Sequence, residues 1–200
     1  RTVGNPIDDG GAGFTVEALQ IGGASIDAFV GMGPFFQDSD ADGDIDDDDT
    51  TNADAIGLVV QDLAFGLGIF REEGATGAPR EFVALKATAG RAALFGVPEI
   101  TADFNGIAVD VNIGLGAAAG TALDFTPAPV EVATGATSGT TSFSLDFDRE
   151  IIRASVQLAT IGISDFIFLQ GSFAFERTVG NPIDDGGAGF TVEALQIGGA

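Results

Sequence analysis

Apolar residues alternate with small or polar residues in segment after segment of this chain. The apolar positions that share one side of a segment are Leu63, Phe65, Leu67 and Ile69; Ile107, Val109, Val111 and Ile113; Phe143, Leu145 and Phe147; and Ile152, Ala154, Val156 and Leu158. A period of two residues is typical of β-strands that bury one face, so we expect these sets to be buried. The 30 glycines scattered along the chain disfavour helices. The pattern therefore predicts an all-β fold with little helix.

The first and last stretches of the chain are identical. Residues 177–200 repeat residues 1–24, RTVGNPIDDGGAGFTVEALQIGGA, letter for letter. The offset from position 1 to position 177 gives a tandem repeat with a period of 176 residues. We interpret residues 1–176 as one complete β-rich repeat and residues 177–200 as the start of the next identical repeat. We expect the chain to be a piece of a longer polypeptide.

The arrangement of the strands leaves two architectures open. Three segments, 21–31, 95–106 and 161–171, share an apolar residue followed by glycine at the start and a glycine at the end. Stacked units of this kind predict an elongated β-solenoid or a sandwich-like sheet folded over one core. Separate globular β-sandwich beads are the alternative. Because the repeats are identical, we expect 1–24 and 177–200 to share one conformation, and the junction to continue the sheet without a flexible linker.

The charge balance restricts the partners and the chemistry. The chain has 30 acidic and 8 basic residues, a net charge of -22 at pH 7 and no histidine or cysteine. Such a surface repels nucleic acid and attracts cations, which suits a calcium-containing exterior. No stretch is long and apolar enough to predict a transmembrane helix. The absence of histidine removes the commonest general base and nearly all zinc sites, and we do not expect an enzyme.

One motif carries recognisable chemistry. The stretch DSDADGDIDDDD, residues 38–49, matches a twelve-residue calcium loop, with Gly43 at the sharp turn and Ile45 at the apolar eighth position. The predicted oxygen ligands are Asp38, Asp40, Asp42, Asp44 through its carbonyl, Asp46 through water, and Asp49. A hard cation such as Ca²⁺ needs six or more oxygens, which alternating short carboxylates on a curved backbone supply. The other interpretation is a solvated acidic loop that holds no specific ion.

The loop departs from the intracellular EF-hand in two ways. Asp49 stands where a glutamate is usual, and the preceding GMGPFFQ cannot form a regular helix because Gly and Pro crowd it. The loop therefore resembles the calcium loops of dockerins and other secreted bacterial modules. We expect a structural rather than a sensory calcium ion, since no helix pair is available to open.

The period, the calcium loop and the phrases GSFAFERTVG (171–180) and LKATAGRAALFGV (85–97) carry a wider resemblance. The sequence resembles the long tandem repeats of giant secreted bacterial surface proteins, which are adhesin-like chains with calcium-binding repeats. The resemblance implies an extracellular filament, sheath or adhesin stalk at the cell surface. Its partners would be further copies of the repeat, joined head to tail, with lateral fibre contacts.

Two other functions stay open on the sequence alone. One is a calcium-dependent polysaccharide-binding module, although the chain lacks the Trp and Tyr residues on which sugar rings usually stack. The other is a glycoside hydrolase that uses two carboxylates, but no pair of acidic residues identifies itself as catalytic.

Overall fold

The computed structural model describes residues 2–7, 14–39, 41, 49–135, 142–183 and 190–199. The strands are β1 (Thr2–Ile7), β2 (Phe14–Met32), β3 (Phe36–Gln37), β4 (Thr50–Thr51), β5 (Ile56–Glu72), β6 (Arg80–Phe95), β7 (Ile100–Gly116), β8 (Val130–Ala133), β9 (Ser142–Leu145), β10 (Ile151–Ile163), β11 (Ile167–Ile183) and β12 (Phe190–Gly199). Those ranges contain no helix, and hence none that could cross a bilayer. The predicted all-β class is confirmed.

Eight of the strands form one open antiparallel sheet in the order β1-β2-β5-β6-β7-β10-β11-β12. Each strand pairs with the next member of this order, so the sheet is a meander in which sequence neighbours are mostly spatial neighbours. Two small hairpins interrupt it: β3–β4 lies between β2 and β5, and β8–β9 lies between β7 and β10. The result is a large sheet with a partial second layer, which is consistent with a sandwich-like fold.

The three glycine-bounded segments do not form one kind of unit. Segment 21–31 lies within the continuous strand β2, where Ser25 adopts a φ of 54° at an irregularity in the pairing with β5. Segments 95–106 and 161–171 instead contain the turns from β6 to β7 and from β10 to β11. A similar spacing of glycines therefore marks a bulge in one case and hairpin turns in the other two, because glycine tolerates both.

One face of the sheet, here called the covered face, is buried by the segment that connects β7 to β10. The described parts of this segment, residues 117–135 and 142–150, are here called the excursion. Its core consists of Val16, Ala18, Phe70, Phe82, Ala84, Ala118, Leu123, Phe125, Val132, Leu145, Phe147 and Ile151. The hairpin β8–β9 approaches the sheet so closely that a Cβ added at Gly66 would lie 2.6 Å from Phe143 Cβ. Leu145 and Phe147 are buried, as the alternating pattern predicts.

Asn112 of β7 fixes the excursion to the sheet at both of its ends. Its side chain is fully buried, and Nδ2 donates to Leu123 O at 2.8 Å and to Arg149 O at 2.9 Å. Phe125 N also donates to Phe147 O at 2.7 Å, which joins the outgoing and returning segments. One buried amide thus satisfies two carbonyls that would otherwise be left without a donor in a dry core.

The opposite face is apolar. Strand pairing aligns on it three of the four alternating sets predicted from the sequence, those of β5, β7 and β10. This face is here called the open face and comprises Leu19, Ile21 and Gly23 of β2; Leu63, Phe65, Leu67 and Ile69 of β5; Val83, Leu85, Ala87 and Ala89 of β6; Ile107, Val109, Val111 and Ile113 of β7; and Ile152, Ala154 and Val156 of β10. Leu158, the last member of its set, lies beyond an irregularity in the pairing of β10 with β11.

The prediction that these three sets are buried is wrong for the chain by itself. No member of the three sets is buried and Ile69 is 40% exposed, whereas Asp110 and Asn112, at positions between the members of the second set, are buried. The excursion lies over the alternate positions because they carry Gly66, Gly68 and the Asn112 amide, which permit close approach and bind its backbone. Alternation shows which residues share a face, but contacts from distant segments decide which face is covered.

Candidate calcium loop and repeat junction

The predicted calcium loop is held by a short hairpin at its base. Strands β3 and β4 pair Phe36 with Thr51 and Gln37 with Thr50, which brings the two ends of the loop together. Phe35 anchors this hairpin in a second apolar cluster with Val59 and Ala93. The ring of Phe35 lies 5.5 Å from that of Phe29 and 5.3 Å from that of Phe95, so aromatic packing fixes the loop to strands β2 and β6.

Asn52 organises the hairpin base, a role that the sequence reasoning missed. This buried side chain donates from Nδ2 to Pro34 O at 3.0 Å, and its Oδ1 accepts from Gln37 Nε2 at 2.9 Å and Asp54 N at 3.0 Å. Its backbone N donates to Phe35 O at 2.7 Å. An asparagine in the turn-rich stretch TTNADA was the available signal, because its side chain often bonds the backbone two residues on.

The first and last carboxylates of the loop bind the loop's own backbone. Asp38 Oδ1 accepts from Ala41 N at 2.7 Å, and Ala41 has a φ of 63°. Asp49 Oδ1 accepts from Ser39 N at 2.6 Å and from Ser39 Oγ at 3.2 Å. Ser39 Oγ also accepts from Thr50 N at 3.2 Å. These bonds hold the two ends of the loop together at its base.

The structure places two of the six predicted ligands. Asp38 and Asp49 lie at the closed base, whereas Asp40, Asp42, Asp44 and Asp46 lie outside the described residues. Among the residues that the structure does describe, no three His, Cys, Asp or Glu side chains are grouped as a metal site. The carboxylate and carbonyl oxygens of the motif fit the preference of Ca²⁺ for hard donors. The calcium site stays a prediction.

The two identical stretches of sequence form the same hairpin. The pairs of β1 with β2 are Thr2↔Ala18, Val3↔Glu17, Asn5↔Val16, Pro6↔Thr15 and Ile7↔Phe14, and those of β11 with β12 are Thr178↔Ala194, Val179↔Glu193, Asn181↔Val192, Pro182↔Thr191 and Ile183↔Phe190. Each pair in the second hairpin is the first-hairpin pair moved by one period. Even the register irregularity recurs, between Val3 and Asn5 and between Val179 and Asn181. The expectation of a shared conformation is confirmed at the level of strand pairing.

Strand β11 runs through the repeat junction without a break. It extends from Ile167 to Ile183, so Glu176 and Arg177, on either side of the predicted repeat boundary, are neighbours within one strand. On one side, Glu176 pairs with Arg153 and Arg177 with Ile152 of β10, and β12 pairs along the other side. The prediction that the junction continues the sheet is confirmed.

Ion pairs cross the strands beside this junction. Arg153 Nε donates to Asp110 Oδ2 at 2.9 Å, and Arg153 Nη1 lies 4.0 Å from Glu176 Oε2. Arg177 Nη1 lies 3.7 Å from Glu150 Oε1. The side chain of Arg153 is about half exposed, so we expect each contact to add little stability alone and mainly to favour this register.

Among the residues that the structure describes, three carboxyl groups have shifted pKa values: Glu72, Asp124 and Glu131. Hydrogen bonds from Ser142 and Ser144 of β9 lower the pKa of Glu131 on β8. Thr126 lowers the pKa of Asp124 in the same way. Side-chain and backbone hydrogen bonds from Arg80 lower the pKa of Glu72 at the turn from β5 to β6. These carboxylates stabilise turns and the β8–β9 hairpin, and no shift marks them as catalytic.

Comparisons with known protein families, with curated proteins and with solved structures found no match for this chain.

Proposed function

We propose that this chain is one structural repeat, without enzymatic activity, of a giant extracellular filament, sheath or adhesin stalk. The proposal has its main support in the junction: the strand that ends one repeat also begins the next, and the hairpin beyond it reproduces the first hairpin pair for pair. A repeat that continues its neighbour's sheet suits a rod that transmits force along its length. The sequence resemblance to adhesin-like repeats of secreted bacterial proteins agrees with this role.

The strand order defines the unit that such a filament would repeat. Strand β1 corresponds to the second part of β11, and β2 corresponds to β12. One repeat therefore contributes the six strands β1, β2, β5, β6, β7 and β10 before the pattern begins again. Because neighbouring strands lie roughly 4.8 Å apart, each repeat would lengthen the filament by about 29 Å.

Calcium is proposed as the stabiliser of each repeat. The ligands would be Asp38, Asp40, Asp42 and Asp49 through carboxylates, Asp44 through its carbonyl and Asp46 through water. The closed β3–β4 base and its anchoring aromatic cluster would connect a bound ion to strands β2 and β6. The net charge of -22 favours a calcium-containing exterior, where cations reduce the repulsion between neighbouring repeats.

The length of the filament tests the head-to-tail sheet. Chains of one, two and three repeats would be compared by small-angle X-ray scattering and electron microscopy. The proposal predicts stiff particles that lengthen by about 29 Å for each added repeat. Compact beads of this size would each add roughly 40 Å and would bend at their linkers, which would contradict the proposal.

A thermal-shift experiment tests the calcium loop. We expect added CaCl₂ to raise the melting temperature of the parent chain and excess EGTA to reverse the change. The double variant Asp38→Ala/Asp42→Ala should lose the response, whereas Asp165→Ala, in the turn from β10 to β11, should keep it. A parent chain whose melting temperature is the same in CaCl₂ and EGTA, with no binding by calorimetry, would refute the calcium site.

A further inference from the structure

The open face is an unusually large uncharged surface for so acidic a chain. Its residues form transverse rows across β2, β5, β6, β7 and β10, every one of them is apolar or glycine, and only Ala89 among them is buried. The nearest charged groups at its edges lie next to partners of opposite charge: Glu150 is 3.7 Å from Arg177, and Arg71, in the row beside Ile69 and Val83, is 3.6 Å from Glu81 and opposite Glu17. Asp110 and Asp146 belong to the opposite side of the sheet, where they pair with Arg153 and Lys86. Two open faces could therefore meet with apolar residues in the centre and with the carboxylates at the edges beside arginines.

The size of the open face is that of a specific interface. Strand spacing and the two-residue period give each position roughly 33 Å² of sheet, so the open face covers roughly 600 Å² in one repeat. Exposed apolar patches larger than a few hundred Å² usually mark an interaction site. Two such faces would bury roughly 1,200 Å² together, which reaches the lower limit for stable protein interfaces.

The open face also continues across the repeat junction. Ile197 of β12 corresponds to Ile21 of β2 by the sequence period, and its side chain is 76% exposed. Register places Ile197 opposite Phe175 of β11, which lies in line with Ala154 of the open face. The apolar area therefore grows with every repeat, and a partner with the same period would stay matched along the whole length.

We propose that the open face packs against the open face of a second copy of this repeat, so that the two sheets form a two-layer sandwich. A second copy is the partner that matches the open face in shape, period and absence of charge, and a two-fold arrangement lets one surface serve both sides. Sheets that pack face to face lie about 10 Å apart with strands about 30° from parallel. This inference goes beyond the head-to-tail filament, because it needs only the sheet of one repeat.

The oligomeric state of the 200-residue chain tests the pairing. Sedimentation and light scattering should show a dimer that dissociates on dilution. Leu85→Glu, in the centre of the open face, should give a monomer with an unchanged far-ultraviolet circular dichroism spectrum. The matched control Phe166→Glu, at a 90% exposed position in the turn from β10 to β11, should stay dimeric. A chain that is monomeric at all concentrations, or a folded Leu85→Glu variant that still dimerises, would overturn the proposal.

A second measurement avoids placing a charge on the open face. The chain has no cysteine, so Ala87→Cys and Thr88→Cys each introduce a single thiol, on the open face and on the alternate face of the same strand. We expect alkylation of the A87C variant to be at least tenfold slower at high than at low protein concentration. The T88C variant should react at the same rate throughout. An A87C rate that does not change with concentration would overturn the proposal, while the head-to-tail filament would stand.

Discussion

The two faces of the main sheet contrast sharply, although they alternate along the same strands. On β5, Gly66 and Gly68 lie beneath the β8–β9 hairpin, while Leu67 and Ile69 between and beside them remain partly exposed. Glycines let the second layer approach closely and Asn112 binds its backbone, so the less apolar face is buried. The contrast shows that the face with close-packing glycines is buried within the chain, whereas the more apolar face stays partly exposed.

The largest effect expected from this contrast is in the covered core. Phe82→Ala, at a fully buried position, should lower the free energy of unfolding by about 3–5 kcal/mol, because it leaves a cavity beneath the excursion. Leu85→Ala, at a half-buried position on the open face of the same strand, should cost about 1–2 kcal/mol in the dilute monomer, since less apolar surface is lost from contact. Urea unfolding followed by circular dichroism measures both. Equal losses would contradict the distinction between the faces.

Loss of the buried amide should have the next largest effect. Asn112→Ala removes the donor to Leu123 O and Arg149 O, and the two carbonyls left unsatisfied should cost about 2–4 kcal/mol together. Asn105→Ala on the same strand is the control, because its side chain donates once, to Asp103 Oδ1, in a half-buried position. We expect it to cost about 0.5–1.5 kcal/mol. If the two variants unfold at the same urea concentration, Asn112 does not fix the excursion.

Adding one methyl group at a glycine tests whether that glycine lies in a close contact or in open space. Gly66→Ala should cost about 1–3 kcal/mol, because the new Cβ would lie 2.6 Å from Phe143 Cβ and force the second layer outward. Gly77→Ala, in the turn from β5 to β6, meets no atom within 4 Å and should change stability by less than about 0.5 kcal/mol. Thermal unfolding of both variants checks this difference. If Gly66→Ala leaves the stability unchanged, the β8–β9 hairpin does not pack closely against the sheet.

The smallest expected effect is a pH dependence of the covering layer. Hydrogen bonds from Ser142 and Ser144 lower the pKa of Glu131 from the ordinary value of 4.5. A lowered folded-state pKa stabilises the fold above pH 4.5 and loses that contribution as the pH falls through the folded value. Glu131→Gln should therefore flatten the fall in melting temperature slightly between pH 5 and pH 3. If the pH dependence of the melting temperature is unchanged in Glu131→Gln, the Glu131 carboxylate does not stabilise the β8–β9 hairpin.

The sequence predicted the local features of the fold more completely than the distant contacts. Period-two spacing located the strands, and the identical ends predicted one hairpin formed twice, because pairing and bulge follow from local sequence. Which face is buried depended on Asn112 and Arg149, which are 37 positions apart, and no local pattern records that contact. The loop motif located Asp38 and Asp49. The base of the loop, however, depends on the hydrogen bond from Asn52 Nδ2 to Pro34 O, 18 positions away, which the motif does not contain.

Amide hydrogen exchange in a chain of two repeats would show whether the sheet is unbroken at the junction. Peptides from residues 172–179, which span the boundary within β11, should exchange as slowly as peptides from the central strand β6, because strands on both sides bond their backbone. Peptides from the exposed turn at 73–79 should exchange within seconds and provide the fast reference. If the boundary peptides exchange as fast as that turn, the repeats are separate beads and the account of a continuous sheet is wrong.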